Sequence, residues 1–269
     1  MKQTCRALLL AGCLASSQFA WAEEKDPRPA AALQDNSFLI EEAYNQERGV
    51  VQHITTFQRQ DRDWFLTFTQ EWPIASQTHQ FSYSVPYAWL RSEGMRSQGI
   101  GDFKLNYRWQ ALTETSTTPA VAPRISWILP FGNEAKGLGE GSLGYEFALP
   151  VSKIVSDRVT LHGNAGFRSF ADVNGRQPKN FFLGGSVVYA VSREFNLMLE
   201  ALGEWNEGVT PGGEIERERS VTILPGIRYA FNLKAGQLVT GLGAPIRFVN
   251  GGAEVGAFFY LSFEHSFLK

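Results

Sequence analysis

The sequence predicts an all-β protein, a transmembrane antiparallel β-barrel of about twelve strands. Aromatic or aliphatic side chains occupy every second position from Phe81 to Trp89, with Gln80, Ser82 and Ser84 between or before them. The same alternation runs from Phe103 to Trp109, where polar residues occupy the even-numbered positions of 102–110. Alternation with a period of two over about ten residues is typical of a strand with one apolar and one polar face. Charges of both signs recur on the polar face, which favours a barrel that is apolar outside and polar inside.

Turn signals divide the chain from residue 49 onward into strand-length segments. The predicted strands are 49–58, 64–74, 79–90, 99–111, 120–131, 142–154, 158–170, 180–191, 195–206, 219–231, 237–248 and 253–267. Connections after odd-numbered strands are mostly long, like 207–218, whereas those after even-numbered strands are mostly tight, except 112–119. Long loops at one rim and short turns at the other are typical of outer-membrane barrels, with both termini at the periplasmic rim.

The apolar composition supports the same architecture. No stretch of the mature chain approaches the ~20 consecutive apolar residues that a membrane helix needs, so a bilayer would have to be crossed by a closed barrel. The alternative is a soluble barrel that carries a ligand, but twelve strands would leave an interior too wide to keep an apolar lining dry. Pro86, Pro123, Pro225 and Pro245 fall within predicted strands, where each removes a ladder donor and predicts a bulge or kink.

We divide the chain into a signal peptide (1–22, removed), a periplasmic leader or plug segment (23–48) and an outer-membrane β-barrel (49–269). Lys2 and Arg6, a short apolar stretch and Ala20-Trp21-Ala22 have the order of a secretory signal. Alternatively, Leu10-Ala11-Gly12-Cys13 matches a lipobox, which would make Cys13 the acylated first residue. Residues 37–48 predict either a short helix or an extended plug, and their periodicity favours neither.

Cleavage after Ala22 would remove both cysteines, Cys5 and Cys13, so the mature chain would have no disulfide and no thiolate chemistry. Removing Lys2 and Arg6 from 25 basic residues leaves 23 against 27 acidic residues, a net charge of −4. This composition does not favour a nucleic-acid partner.

Strand parity assigns side chains to the two faces of the barrel. The acidic, basic and histidine residues that parity directs into the lumen, as a pore lining or as a lattice of salt bridges, are Glu71, Asp102, Lys104, Arg108, Arg124, Glu146, His162, Arg168, Glu200, Glu204, Arg228, Arg247, Glu254 and Glu264. Aromatic residues near strand ends predict two interfacial girdles. They are Trp64, Trp89 and Trp205 at the outer rim, and Trp72, Trp109, Tyr229, Phe231 and Phe267 at the inner rim.

The stretch Asn36–Glu47 (NSFLIEEAYNQE), followed by Gly49–Ile54 (GVVQHI), resembles the opening of the outer-membrane transporter family labelled "meta-pathway of phenol degradation". Further similar stretches are Phe68–Pro73, Gly99–Asp102, Ala122–Ser126 and Asn196–Glu200. The resemblance covers most of the mature chain. It implies an outer-membrane barrel that passes aromatic or other small compounds, and it assigns no catalytic residues.

Motifs for enzymatic chemistry are weak. Gly139–Gly144 matches G-x-G-x-x-G, but it precedes a strand instead of the helix that a dinucleotide needs. His53, His79, His162 and His265 are scattered, without the spacing of a metal site. A lipid hydrolase would require a serine close to a histidine, and the outward-facing candidates, Ser169 and His265, lie on strands seven and twelve.

These observations predict a passive channel or transporter for small molecules in a Gram-negative outer membrane, with aromatic compounds among its candidate solutes. The expected partners are outer-membrane lipids, lipopolysaccharide and the solutes, and we expect no cofactor, no metal and no enzymatic activity. A structural or surface-interaction barrel that presents residues 207–219 is the alternative, ahead of a barrel-embedded lipid hydrolase. The sequence assigns no oligomeric state.

Overall fold

The structure is a computed structural model that describes Leu33, residues 37–91 and residues 96–267. The predicted signal peptide, Cys13 and most of the leader lie outside the described residues. Within the described residues, no helix is long and apolar enough to cross a bilayer.

Twelve antiparallel strands form the barrel, and four of them consist of two collinear segments. The strands are β1 (Val50–Gln60), β2 (Asp63–Ile74), β3 (Ser76–Leu90), β4 (Ser97–Ile100 and Phe103–Trp109), β5 (Ala120–Val121 and Arg124–Leu129), β6 (Gly144–Ser156), β7 (Val159–Phe170), β8 (Lys179–Ala190), β9 (Phe195–Val209), β10 (Ile215–Leu233), β11 (Gly236–Gly243 and Ile246–Val249) and β12 (Gly252–Val255 and Ala257–Ser266).

Each strand pairs with its neighbours in sequence, and the first strand pairs with the last. The pairing of β1 with β12 runs from Val50↔Ser266 to Arg59↔Ala257. A closed sheet leaves no free edge, so the backbone hydrogen bonds of the wall are satisfied within the wall itself. The predicted twelve-stranded antiparallel barrel is confirmed.

The four prolines for which the sequence predicts a bulge or kink lie at places where a strand or its partner is interrupted. Pro123 and Pro245 separate the two segments of β5 and β11, whereas Pro86 and Pro225 lie in continuous strands opposite an interruption in the next strand. Each proline carbonyl still accepts a hydrogen bond across the break, from the N–H of Trp109, Gly256, Gly101 and Ala244 respectively. The missing proline N–H thus breaks the ladder locally, in the strand itself or in its partner.

We call the rim with the connections after odd-numbered strands the loop rim, and the opposite one the turn rim. The prediction of a long loop at 207–218 is wrong, because β9 continues to Val209 and β10 begins at Ile215. Charged residues suggested a loop, but they pair across an extended hairpin, as Arg217 and Glu207 do at 3.1 Å. The loop rim also contains a two-residue Asn250-Gly251 turn with φ of 50° and 78°, the left-handed conformation that hairpins favour.

The two faces of the wall differ in polarity. On β9, Leu197 and Leu199 are exposed, whereas Asn196, Met198 and Glu200 are buried inside the barrel. The same alternation holds on β12, where Phe259 and Leu261 are exposed while their neighbours Phe258 and Tyr260 are buried. The outer surface is therefore apolar over the middle of the strands, and the inner surface is largely polar.

Substitution of Leu261 tests the apolar outer face. Because Leu261 lies outward near the middle of β12, Leu261→Arg would place a charge in hydrocarbon at a cost of about 2–4 kcal/mol. We expect a lower folded fraction in lipid vesicles, measured from the electrophoretic band that shifts on heating. Leu261→Ala is the control that shortens the side chain without adding charge. Equal folded fractions for the two variants would contradict a lipid-facing position.

Candidate functional site: the barrel interior

The segment of residues 37–47, which we call the inner segment, lies inside the barrel. It forms no helix and no strand, so the short-helix alternative for residues 37–48 is wrong. Most of its residues are buried, and Ile40 and Ala43 are almost inaccessible to solvent. A chain without regular structure needs other partners for its backbone groups, and here the inward side chains of the wall supply them.

Glu200 binds the start of the inner segment. Its carboxylate accepts hydrogen bonds from three consecutive backbone N–H groups, those of Phe38 (2.7 Å), Leu39 (2.7 Å) and Ile40 (3.0 Å). Arg228, which is also buried, supplies an opposite charge close to this carboxylate. Hydrogen bonds to a charged acceptor are stronger than neutral ones, so Glu200 is a strong attachment point for the segment.

Uncharged polar side chains bind the rest of the segment from several strands. The N–H groups of residues 41, 43, 45 and 46 each donate to a side chain of the wall or of the connection after β4. The acceptors are Asn164 Oδ1 (2.7 Å), Ser152 Oγ (2.7 Å), Gln110 Oε1 (3.1 Å) and Gln80 Oε1 (2.7 Å). None of these four residues is among the lumen residues that strand parity predicted, because only charged residues and histidine stand out at inward positions in the sequence.

Arg108 satisfies the carbonyl side of the segment. Its guanidinium donates to Asn45 Oδ1 (2.7 Å), to the carbonyl oxygen of Glu42 (3.1 Å) and to that of Tyr44 (2.8 Å). A fourth bond goes to Gln80 Oε1 (3.2 Å). The fixed fork of donors on arginine suits several acceptors at once, so Arg108 binds the inner segment, and it also borders the first of the cavities described below.

Phe38 packs into a space that glycines leave in the wall. Its ring lies 5.0 Å from the ring of Phe258 and 5.6 Å from that of Tyr260, measured between centroids. A Cβ atom at Gly226 or Gly241 would lie 2.4 or 2.6 Å from the Phe38 ring. Side chains at these two positions would therefore collide with the inner segment.

The long connection after β4 also contacts the segment. Glu114, in this connection, accepts a hydrogen bond from the Tyr44 hydroxyl and forms an ion pair with Lys153 at 3.0 Å. The oxygen that pairs with Lys153 also accepts a hydrogen bond from the N–H of Ile154 at 2.8 Å. The connection after β4, which is the exception among the short turns, thus contacts the inner segment at the turn rim.

Glu146 is the centre of a cluster of charges. Three cations contact its carboxylate, namely Lys104 (3.1 Å), Arg124 (2.8 Å) and Arg168 (2.5 Å). Arg124 also contacts Glu41 of the inner segment at 2.8 Å. Buried charges persist only when they are paired, and this cluster pairs them across four adjacent strands while binding the segment to the wall.

Among the described residues, the interior contains a cavity of about 220 Å³ and a second one of the same volume, and both are lined in part by Leu39. The residues that line the first cavity include Thr56, Thr69, Ser84, Lys104 and Arg124. The second lies against the loop rim and contains Glu204, Arg247 and Glu254. Arg247 forms ion pairs with Glu254 (3.4 Å) and with Glu218.

The other acidic and histidine residues predicted to face the lumen contact polar groups of the wall and of one loop. Glu71 accepts a hydrogen bond from Gln80 Nε2 at 2.7 Å and borders the first cavity. His162 Nδ1 lies 2.8 Å from Ser152 Oγ, and Glu264 is opposite Gln52 in the pairing of β1 with β12. Asp102 accepts hydrogen bonds from the N–H groups of residues 132 and 140, so it holds a loop at the loop rim.

Aromatic residues cluster at both rims. At the loop rim, Trp64 pairs with Trp89 across β2 and β3, and the ring of Phe57 lies 4.7 Å from that of Trp64. Trp205 is half-exposed on β9. The residues near the turn rim include ring pairs and single exposed rings, namely Trp72 with Phe81 (6.0 Å), Tyr229 with Phe231 (4.9 Å), Trp109 and Phe267.

The structure shows where the sequence motifs for nucleotide binding, hydrolysis and metal binding lie. Gly139 lies against the carboxylate of Asp102, where a Cβ atom would be 2.3 Å from an oxygen, and a strand follows the G-x-G-x-x-G stretch. Ser169 and His265 are on β7 and β12, which are not neighbours. Among the described residues, no group of three or more His, Cys, Asp or Glu side chains could hold a metal ion.

Two histidines that are far apart in sequence do come together. His53 Nε2 and His265 Nε2 are 3.3 Å apart, because β1 and β12 are joined where the barrel closes. His79 has a different partner, the hydroxyl of Tyr107 at 2.7 Å. The spacing of 212 residues gave no local signal for the first pair.

Comparisons with known proteins give similarity in structure alone. No protein-family model matches the chain, and no curated protein sequence matches it. The structure is similar to an outer membrane channel from Pseudomonas putida F1, with a TM-score of 0.64, 11% identity, and coverage of 87% of this chain and 100% of that one. It is also similar to the NanC porin, with a TM-score of 0.50, 8% identity, and coverage of 79% and 98%. At such low identity these similarities show the fold, that of outer-membrane β-barrels, and the phenol-degradation label stays a prediction.

Proposed function

We propose that the protein is a passive outer-membrane channel for small molecules, and that its own inner segment narrows the lumen. The observation that carries the proposal is the inner segment together with the two cavities beside Leu39, inside a barrel with an apolar exterior. A purely structural barrel would need neither cavity. The similarity to the Pseudomonas putida F1 outer membrane channel supports the same function.

The charges beside the cavities favour solutes that carry both polar and charged groups. Lys104 and Arg124 face the first cavity together with Glu41 and Glu71, so both signs of charge are present. A field of one sign would give strong ion preference, whereas interleaved signs give weak ion selectivity. Small dipolar molecules and aromatic acids are the solutes that we expect to pass, in agreement with the family resemblance.

The projecting hairpin of β9 and β10 favours a second candidate function, a surface interaction. Its exposed charges extend to the connection at 210–214, beyond the neighbouring strands. The hairpin offers no aromatic anchor of the kind that dominates protein interfaces, so we rank this candidate below the channel. Conductance of the purified barrel in a planar bilayer, with aromatic acids as blockers, distinguishes the two functions.

Glu200→Ala tests whether the inner segment narrows the lumen. The substitution removes the acceptor of three N–H groups, and a buried donor without an acceptor costs about 1–3 kcal/mol, so we expect the segment to detach from β9. Unit conductance in planar bilayers should then rise several-fold. Glu204→Ala is the matched control, since Glu204 is on the same face of the same strand but holds none of these N–H groups. Equal conductance in the two variants and the wild type would contradict the narrowing role.

Arg228→Ala tests how the lumen charges act on ions. Loss of this cation leaves the Glu200 carboxylate less compensated in a confined space, so the reversal potential should shift toward cation preference, and uptake of anionic solutes should weaken. Arg219→Ala on the exposed part of β10 is the control. The channel proposal fails if the purified barrel conducts no ions and Arg228→Ala changes neither solute uptake nor stability.

A further inference from the structure

His53 and His265 lie together on the outer face of the barrel, at the turn rim. His53 is opposite Phe263 in the strand register, and His265 is two positions further along β12, so the two histidines are diagonal neighbours. Their rings are 5.4 Å apart between centroids, with planes 16° from parallel. Both belong to the outward parity of their strands, the parity of Phe57 on β1 and Leu261 on β12.

The contacts of His265 indicate which of its two ring nitrogens can donate a lone pair to a ligand. Its Nδ1 lies 3.3 Å from the carbonyl oxygen of Ser266, which can only accept a hydrogen bond. A neutral ring that donates to this carbonyl carries its proton on Nδ1 and its lone pair on Nε2, which faces His53. A backbone carbonyl that binds the far nitrogen of the ring is the usual support of a metal-binding histidine.

The spacing of the two Nε2 atoms suits a shared metal ion. At 3.3 Å they are within reach of a hydrogen bond between the two rings, and this separation is also that of two nitrogen atoms bound to one ion. A zinc ion about 2.0–2.1 Å from both nitrogens would subtend an angle of roughly 107°, close to tetrahedral. His53 would bind the ion as the neutral tautomer with its proton on Nδ1, so a proton on Nε2 would move to Nδ1 by exchange with solvent, and the Nε2 lone pair would become available.

The surroundings position the two rings and leave access to water. Phe68 stacks on His53 at 6.3 Å, and Phe263 lies 5.4 Å from the ring of His265. Both histidines are half-buried, and the adjacent Ser266 is exposed at the rim. Water can therefore complete the coordination sphere. Imidazole ligands without carboxylates suit zinc, copper and nickel and do not suit magnesium or calcium.

We propose that His53 and His265 form a two-histidine site for a late first-row divalent transition metal, joining the first and last strands of the barrel. The site is separate from the lumen and does not depend on the proposed channel function. Because the two residues are 212 positions apart, the folded barrel brings them together and the unfolded chain does not. Bound metal therefore stabilises the closed barrel by mass action.

The test is a titration of the folded, tag-free protein in detergent with ZnCl2 or CuCl2, followed by calorimetry in a buffer that does not bind metals. We expect one equivalent to bind, and His53→Ala or His265→Ala to weaken binding at least ~10-fold. His79→Ala is the matched control, because His79 contacts Tyr107 and no second histidine. MgCl2 should not bind. The temperature at which the folded band shifts on electrophoresis should rise with metal in the wild type and in His79→Ala only.

His53→Phe provides a second variant in case alanine disturbs folding, since it keeps an aromatic ring beside Phe68 and Phe263 while removing the nitrogen ligands. Binding that persists unchanged in His53→Phe and His265→Ala would overturn the proposal. So would an absence of binding by the wild type at millimolar metal, or an equal loss of binding in His79→Ala.

Discussion

The three hydrogen bonds that Glu200 accepts from Phe38, Leu39 and Ile40 are the interaction on which the interior depends. The inner segment forms no helix or strand, so each of its N–H groups must find a partner from the wall or remain unsatisfied. A carboxylate that projects inward from the middle of β9 meets this need at three adjacent positions. Leu39, one of the three residues attached in this way, lines both cavities.

The charges of the lumen have two roles that the structure separates. Arg124 forms ion pairs with Glu146 of the neighbouring strand and with Glu41 of the inner segment, so much of the charge on these three side chains is neutralised locally. Lys104 contacts Glu146 as well, yet its side chain remains 30% exposed and borders the first cavity. The interior is therefore braced by ion pairs and still presents charge to a solute. This combination is consistent with a narrow channel of weak ion selectivity.

Closure of the barrel has consequences at both of its faces. Joining β1 to β12 removes the last sheet edge, and it also places residues from the two ends of the chain next to each other. On the inner face this brings Gln52 opposite Glu264, and on the outer face it brings His53 beside His265. The seam is thus the one part of the wall where no local sequence pattern could have indicated which side chains meet.

The sequence by itself determined the strand number, the antiparallel order and the polarity of the two faces, because alternation and turn residues are local signals. The extended hairpin to Val209 was missed, since its charges resemble those of a loop until they pair across strands. Local patterns also could not show that Gln80, Ser152 and Asn164 bind the inner segment, because uncharged polar residues inside a barrel have no distinguishing spacing. Only the tertiary structure decided that residues 37–47 lie in the lumen and that the two histidines meet, because both depend on contacts between residues far apart in the chain.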